Sequence, residues 1–353
     1  AAELLNTQAK RNSRKGKKYQ IPKDEYIEFC REFQFIETQD QKNTILEIEK
    51  DLQDSIPMDR LVCGEVGFGK TEVAMRASFI SAFNNSQTCI LVPTTVLAQQ
   101  HYESFIRRFS HSPVNIQKLS RDINVKKRKE ILSQLKDGHI DIIIGTHALL
   151  QGSIEFQDLG LLIIDEEHRF GVRQKEKIKK LKENINVLYL SATPIPRSLN
   201  FALAELKDLS IIATAPENRF SVKTFIYSFN EHLIKESIQR ELLRNGQVYY
   251  LCNDLRLIQD RKIRIEELFP SHNVDFIHGK LKGSEIEEKM LLFQNGNINI
   301  LVCSTIIESG LDIANANTLI VEEADRLGLS QLHQLRGRVG RGKKQAYAYF
   351  LKS

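Results

Sequence analysis

Residues 64–71 read Gly-Glu-Val-Gly-Phe-Gly-Lys-Thr, and this stretch, the phosphate loop below, decides the fold. It follows an apolar run and has the spacing GxxxxGKT, in which glycines let backbone N–H groups turn inward around phosphate oxygens. Lys70 is placed to reach terminal phosphates, Thr71 to ligate Mg²⁺, and the helix beginning near Gly69 adds a positive end. A plain glycine turn is the alternative. The predicted nucleotide-binding residues here are Gly64, Glu65, Val66, Gly67, Phe68, Gly69, Lys70 and Thr71.

The bulk composition favours a chain with large packed cores. Its 353 residues, 41% of them hydrophobic, suffice for two or three domains of ordinary size. No apolar run approaches the roughly 20 residues that cross a bilayer, and no signal-peptide pattern opens the chain, so we expect a cytoplasmic protein. The five cysteines lack CxxC spacing, which predicts reduced core thiols and no zinc site.

Basic side chains cluster near the N-terminus, although the formal net charge is only +5. Such a cluster either attracts a polyanion or is a solvated tail, and the sequence leaves both readings open. Because the chain opens on Ala1 rather than Met, we expect a piece of a longer protein. The basic residues are Lys10, Arg11, Arg14, Lys15, Lys17 and Lys18.

From about residue 59 onward, β-rich runs alternate with helical segments in two successive series. This alternation predicts an α/β fold with parallel sheets flanked by helices. A polar segment around Pro216 is typical of a linker, so we expect a basic lead-in at 1–29, one lobe at 30–214 and another at 215–353. Only the first series carries a phosphate loop, which predicts a nucleotide site in the cleft between the lobes. The predicted strands are residues 60–63, 88–92, 115–119, 141–145, 161–164, 186–190 and 209–213, then 223–227, 247–251, 275–277, 299–303, 318–321 and 346–350.

An acidic pair follows the apolar run 161–164. Asp165 is expected at the carboxyl end of a strand, where α/β sheets bind ligands, and it fits a Mg²⁺-holding carboxylate. Glu166 is placed to accept a proton from an attacking water. A helix N-terminus rich in acidic residues is the alternative.

Two arginines near the C-terminus, Arg338 and Arg341, follow Gln334 at helical spacing. We expect all three on one helix face, where guanidinium groups suit the charge that develops on a γ-phosphate. A salt-bridged surface helix is the alternative.

These motifs, with Ser191-Ala192-Thr193, resemble in this order those of the superfamily 2 helicases and translocases. The runs DEEHRFGV, GQVYYLCND and TIIESGLDIANANT are most similar to transcription-repair coupling factors, with RecG-type helicases second. The resemblance covers nearly the whole chain and implies two RecA-like lobes that bind ATP and Mg²⁺ between them.

The resemblance also implies residue roles. Phe35, Thr38 and Gln41 match the adenine-reading Q motif, and Gly310 and Asp312 match a motif that approaches the ribose. His168 is expected to link the nucleotide to Ser191 and Thr193. Contacts to a DNA backbone are implied for Thr94, Thr146, His147, Asn253, His278 and Thr305, each of which can equally cap a helix.

The expected function is an ATP-driven translocase core for double-stranded DNA. In the family, regions absent from this chain serve stalled RNA polymerase and recruit excision-repair proteins. A RecG-like fork remodeller or an RNA helicase is the first alternative, and His168 disfavours RNA. A non-catalytic ATP-binding scaffold is the second, disfavoured by Glu166 and the two arginines. Ala314 and Glu323 depart from the family's usual proline and arginine.

Overall fold

A computed structural model describes residues 16–120, 123–152, 154–167, 170–181, 185–192, 207–216, 221–305, 313, 315–340, 342 and 344–353. The chain divides into two compact units, unit 1 at Ala1–Glu217 and unit 2 at Asn218–Ser353. Within these ranges, no helix has both the length and the apolar character that a membrane crossing needs.

Unit 1 is built on a seven-stranded sheet whose pairings are all parallel. Parallel neighbours need crossover connections, so the carboxyl ends of the strands lie at one edge. The strands are β1 Asp59–Gly64, β2 Gln87–Leu91, β3 Ile116–Leu119, β4 Ile142–Gly145, β5 Leu159–Asp165, β6 Asn186–Ser191 and β7 Asp208–Ile212. They are arranged in the order β3-β4-β2-β5-β6-β1-β7.

The central strands of this sheet are covered on both faces. All five residues of β2 are buried, as expected for a strand between two helical layers. One core cluster packs Leu91 and Ile164 from the sheet against Ile131 and Leu135. The described helices of unit 1 are Lys23–Arg31, Gln39–Gln53, Lys70–Phe83, Thr95–Arg108, Val125–Lys136 and Val172–Leu181.

The described part of the predicted basic lead-in packs onto unit 1. Phe29 stacks on Phe79 of the helix Lys70–Phe83, with ring centroids 4.3 Å apart. Lys17 donates to Asp158 at 2.6 Å, so this member of the basic cluster is paired. Residues 10–15 of the cluster lie outside the described ranges.

Unit 2 contains a six-stranded parallel sheet in the order β10-β11-β9-β12-β13-β8. Its strands are β8 Lys223–Ser228, β9 Gln247–Leu251, β10 Val274–Ile277, β11 Ile300–Cys303, β12 Ala316–Val321 and β13 Tyr347–Lys352. The described helices are Glu231–Leu243, Ile258–Leu268, Gly283–Gln294 and Leu329–Arg336. The predicted α/β class is therefore confirmed, and each predicted strand is present with ends within two residues of expectation.

Candidate active site

The phosphate loop connects β1 to the helix Lys70–Phe83. Gly67 and Gly69 have φ values of 82° and 81°, in the left-handed region that favours glycine. The ammonium of Lys70 donates to the carbonyl oxygens of Gly64 at 2.5 Å and Glu65 at 2.9 Å. The lysine therefore lies across the loop, next to the amino end of the helix, where an anion is stabilised.

Gln41 fixes the phosphate loop to the segment that resembles a Q motif. Thr38 and Gln41 form a capping box at the start of the helix Gln39–Gln53. The Gln41 amide then donates to the Phe68 carbonyl at 2.9 Å. A Cβ at Gly69 would lie 2.2 Å from Nε2 of Gln41 and would displace that amide, and the φ of 81° would be strained for any other residue. Phe35 is 68% exposed, which leaves its ring open to a stacking partner.

The acidic pair lies at the carboxyl end of β5. Glu166 adopts φ of 54°, and its N–H donates to the Leu190 carbonyl at 3.0 Å. Its carboxylate accepts from the N–H of Ala192 at 3.2 Å, which ties the pair to the segment after β6. The carboxylate of Asp165 lies 3.1 Å from Nε2 of His101. Each carboxylate is thus oriented by a contact to a neighbouring element.

A buried thiol indicates that the loop and the acidic pair share one location. Burial raises the pKa of the Cys63 thiol to about 11. The Lys70 ammonium opposes this rise and the Glu166 carboxylate adds to it, so both charges act on the same atom. The structure therefore brings the predicted Lys70 and Glu166 together at the carboxyl edge of the sheet.

The residues present fit a nucleotide with Mg²⁺. Gly67 and Gly69 of the phosphate loop have the left-handed conformations that a phosphate-binding loop uses. Thr71 and Asp165 offer the hard oxygen ligands that Mg²⁺ prefers, with phosphate and water completing its shell. Within the described ranges, no cluster of three or more His, Cys, Asp or Glu side chains forms a protein-only metal site.

The predicted DNA-contacting residues of unit 1 follow neighbouring strands. Thr94 comes after β2 and caps the helix Thr95–Arg108, since its hydroxyl accepts from the Leu97 N–H at 3.2 Å. This is the capping role that the sequence left open, although the O–H donor of the same hydroxyl can still serve a phosphate. Thr146 directly follows β4 and is buried, and His147 begins a short 3₁₀ helix.

The unit 2 residues of this set follow β9, β10 and β11, which are adjacent strands. Asn253 lies two residues beyond β9, and Thr305 lies two residues beyond β11. His278 directly follows β10, and its Nδ1 accepts from the Lys280 N–H at 3.2 Å. In neutral imidazole the hydrogen is then on Nε2, available to a phosphate oxygen. The structure brings these three side chains to one edge of the sheet.

The expected shared helix face is wrong for Gln334 and Arg338. Gln334 lies on the helix Leu329–Arg336, but this helix ends at Gly337, and Arg338 follows in a turn. The N–H of Arg338 donates to the Leu335 carbonyl, three residues back, in the turn that follows the helix, and Gly340 further on has φ of 78°, in the region that favours glycine. Arg338 is nevertheless 4% exposed, which is unusual for an arginine on a plain surface.

Several predicted residues cannot be placed. His168, Thr193, Gly310, Asp312, Ala314 and Arg341 lie outside the described ranges. Among the described residues, the sequence did not lead us to His101. Its one distinguishing feature in the sequence is its position seven residues after Thr94, which caps the same helix. Nor did the sequence lead us to Glu72, which is buried in the first turn of the helix Lys70–Phe83, three residues after Gly69.

Two family descriptions match the sequence. The family model described as DEAD/DEAH box helicase matches residues 38–201. The model described as helicase conserved C-terminal domain matches residues 230–343. The transcription-repair-coupling factor of Haemophilus influenzae is 53% identical over 351 residues, which are 99% of this chain and 31% of that protein. Its Escherichia coli counterpart is 51% identical with the same coverage. The chain thus spans about a third of these relatives.

A solved structure agrees with these sequence matches. RecG bound to a three-way DNA junction has a TM-score of 0.87 and 34% identity, covering 99% of this chain and 47% of that one. The two parallel sheets correspond to two RecA-like lobes. The chain therefore belongs to the ATP-dependent superfamily 2 helicases and translocases, and its sequence groups it with the transcription-repair-coupling factors.

Proposed function

We propose that the chain is the ATP-driven motor region of a transcription-repair coupling factor, and that it moves on double-stranded DNA. The observation that carries the proposal is the set Lys70, Asp165 and Glu166 at one sheet edge, each held by contacts within unit 1. The names of the relatives supply the biological setting.

Each residue of this set has a distinct task in hydrolysis. Lys70 binds the terminal phosphates of ATP as a point charge. Thr71 and Asp165 would hold Mg²⁺, and the bound ion would neutralise part of the phosphate charge. Glu166 accepts a proton from the attacking water, and its bond to the Ala192 N–H keeps the carboxylate oriented for that task. For Arg338 and Arg341 we propose stabilisation of the charge of the transferred phosphoryl group.

Movement follows from where the DNA-contacting side chains lie. Unit 1 presents Thr94 and His147 beyond its strands, with Thr146 buried beside His147, and unit 2 presents Asn253, His278 and Thr305 beyond its own. Small hydroxyl, amide and imidazole groups hold a phosphate backbone without reading sequence. Closure of the lobes on ATP and opening after hydrolysis then displace one grip relative to the other.

In the whole protein, we propose that this motor pushes on stalled RNA polymerase and helps to recruit excision-repair proteins. Both partners would bind regions outside the 353 residues. This part of the proposal comes from the names of the relatives, of which the chain spans about a third.

The decisive experiment compares ATP turnover by the wild type and Lys70→Ala, each with duplex DNA, single-stranded DNA and RNA. Because Lys70 is the cationic side chain of the phosphate loop, we expect turnover to fall by at least about 100-fold. Lys126→Ala, an exposed lysine on the helix Val125–Lys136, is the matched control and should retain activity. Turnover of Lys70→Ala within about tenfold of wild type would contradict the assignment.

A non-catalytic scaffold is tested with Glu166→Gln. If Glu166 is the base, this variant binds ATP with wild-type affinity and hydrolyses it at least about 100-fold more slowly. A scaffold would show no difference, because neither protein would turn over.

Fork remodelling is the second candidate, favoured by the TM-score of 0.87 to RecG. Linear duplex and a three-way junction with equal base-pair content separate the two functions. A coupling-factor motor is stimulated comparably by both DNAs. Stimulation that requires the junction would favour the RecG-like function.

A further inference from the structure

The helix Thr95–Arg108 contacts three different parts of unit 1. It begins at Thr94, which follows β2, carries His101 in its middle and ends at Arg108. These residues are seven apart, so they lie about two turns, or roughly 10.5 Å, from one another along one side of the helix. One helix thus connects the predicted DNA contact with two parts of the candidate nucleotide site.

His101 contacts the carboxylate that is expected to hold Mg²⁺. Its ring is 8% exposed, and Nε2 lies 3.1 Å from Oδ2 of Asp165. An ionised carboxylate only accepts hydrogen bonds, so Nε2 carries the hydrogen and donates it. The ring of Phe105, one turn further along, lies 6.4 Å from the imidazole and packs on it. The packing holds the imidazole of His101, and the hydrogen bond from that imidazole orients the carboxylate of Asp165.

Arg108 attaches the far end of the same helix to the phosphate-loop helix. Its guanidinium donates to both carboxylate oxygens of Glu72, at 2.9 and 3.1 Å. Glu72 lies directly after Thr71 in the first turn of that helix. A shift of the helix Thr95–Arg108 relative to the phosphate loop would therefore strain this bidentate pair, while the His101 contact would move Asp165.

We propose that His101 is a positioning residue that couples DNA contact at Thr94 to the orientation of Asp165. The inference rests on the proposed function, because it assumes that DNA binds near Thr94 and Mg²⁺-nucleotide near Asp165. A phosphate that pulls on the amino end of a rigid helix displaces His101, and the hydrogen bond passes the displacement to Asp165. By linkage, Mg²⁺-nucleotide binding in turn strengthens the hold on DNA.

The test uses variants that separate the hydrogen bond from packing. His101→Gln retains an N–H donor near the position of Nε2, whereas His101→Met has the same length and no donor. Both residues are good helix formers, so their difference isolates the bond to Asp165. Glu103→Gln, an exposed position on the same helix, is the control. Should His101→Met fail to fold, His101→Asn replaces it, since its amide ends short of the Nε2 position.

The measured quantity is the affinity of the full chain for a fluorescent duplex, with and without Mg²⁺ and a non-hydrolysable ATP analogue. We expect the analogue to strengthen duplex binding by about fivefold or more in the wild type and Glu103→Gln. His101→Met should lower this ratio by at least about threefold, and His101→Gln should restore it to within about twofold.

Each outcome decides a separate point. A wild type that binds neither the analogue nor the duplex would refute the proposed function itself. If both bind but the ratio is unity in the wild type, or unchanged in His101→Met, the coupling role of His101 is refuted. If His101→Gln lowers the ratio as much as His101→Met does, the hydrogen bond to Asp165 does not transmit the coupling, and the positioning role of His101 is refuted.

Discussion

Replacing Glu72 by alanine tests how unit 1 holds the helix that begins at the phosphate loop. Its carboxylate lies between two guanidinium groups, accepting from Arg76 at 3.0 Å and from Arg108 at 2.9 Å. The three side chains are 8, 6 and 11% exposed, so water does not screen the charges. Removing the carboxylate leaves two buried cations with one fewer anion between them.

The expected loss of stability follows from these contacts. Breaking a buried ion pair by removing one partner costs about 3–5 kcal/mol. Arg76 keeps its contact with Glu37, and Arg108 keeps the Phe29 carbonyl and the Phe29 ring, so we take the lower end, about 3 kcal/mol. In a unit of this length, 1 kcal/mol shifts the unfolding midpoint by about 2–4 °C, which predicts a fall of about 6–12 °C.

The assay is thermal unfolding of the wild type, Glu72→Ala and a surface control. Glu155→Ala removes the partner of Lys136 in the same unit, where both side chains are 64% exposed, and should leave the midpoint unchanged. Glu72→Gln keeps the shape of the side chain and one hydrogen-bond acceptor, so its unfolding midpoint should lie between those of Glu72→Ala and Glu155→Ala. A midpoint for Glu72→Ala within about 2 °C of wild type would refute the view that this carboxylate compensates two buried charges.

Three further changes test other parts of the site. Gly69→Ala places a Cβ 2.2 Å from the Gln41 amide, so nucleotide affinity should fall by at least about tenfold, while Gly152→Ala, with open space around it, should leave it unchanged. Arg338→Lys keeps the charge but not the planar fork, so turnover should drop at least about tenfold at constant nucleotide affinity; equal losses of both would contradict a role in the transition state. Burial raises the pKa of the Cys89 thiol to about 12, so at pH 8 its alkylation in the native chain should be about 10³-fold slower than that of free cysteine and should rise with pH. Rapid labelling of Cys89 at pH 8, mapped by mass spectrometry, would show that this burial is wrong.

The strands could be predicted because their signal is local. A run such as 247–251, apolar on both faces and followed by a polar turn, specifies a buried parallel strand without knowledge of its neighbours. The register and the order β3-β4-β2-β5-β6-β1-β7 depend on contacts between distant residues, for which no short pattern exists. The helix ending at Gly337 shows the same limit. The helical spacing of Gln334 and Arg338 continues in the sequence, but the backbone leaves the helix after Arg336 and reaches φ of 78° at Gly340.

The site could be predicted where a motif prescribes backbone conformation, as in the phosphate loop, whose glycines have the φ values that their spacing requires. It could not be predicted where a side chain acts through another element. His101 is a lone histidine on an amphipathic helix, a pattern that is usually only core packing. Its role depends on Asp165, 64 residues away, and only the fold shows that the two meet.

The contacts around the nucleotide site are of one kind, since each joins two elements that are distant in sequence but adjacent at the sheet edge. Gln41 binds the phosphate loop, Glu166 binds the segment after β6, and Asp40 accepts the N–H groups of residues 213 and 214 as the chain leaves β7. All lie within unit 1, so the groups for which we propose phosphate binding are oriented by contacts of that unit alone. Preorganisation of this kind reduces the ordering cost of binding a ligand at this edge of the sheet.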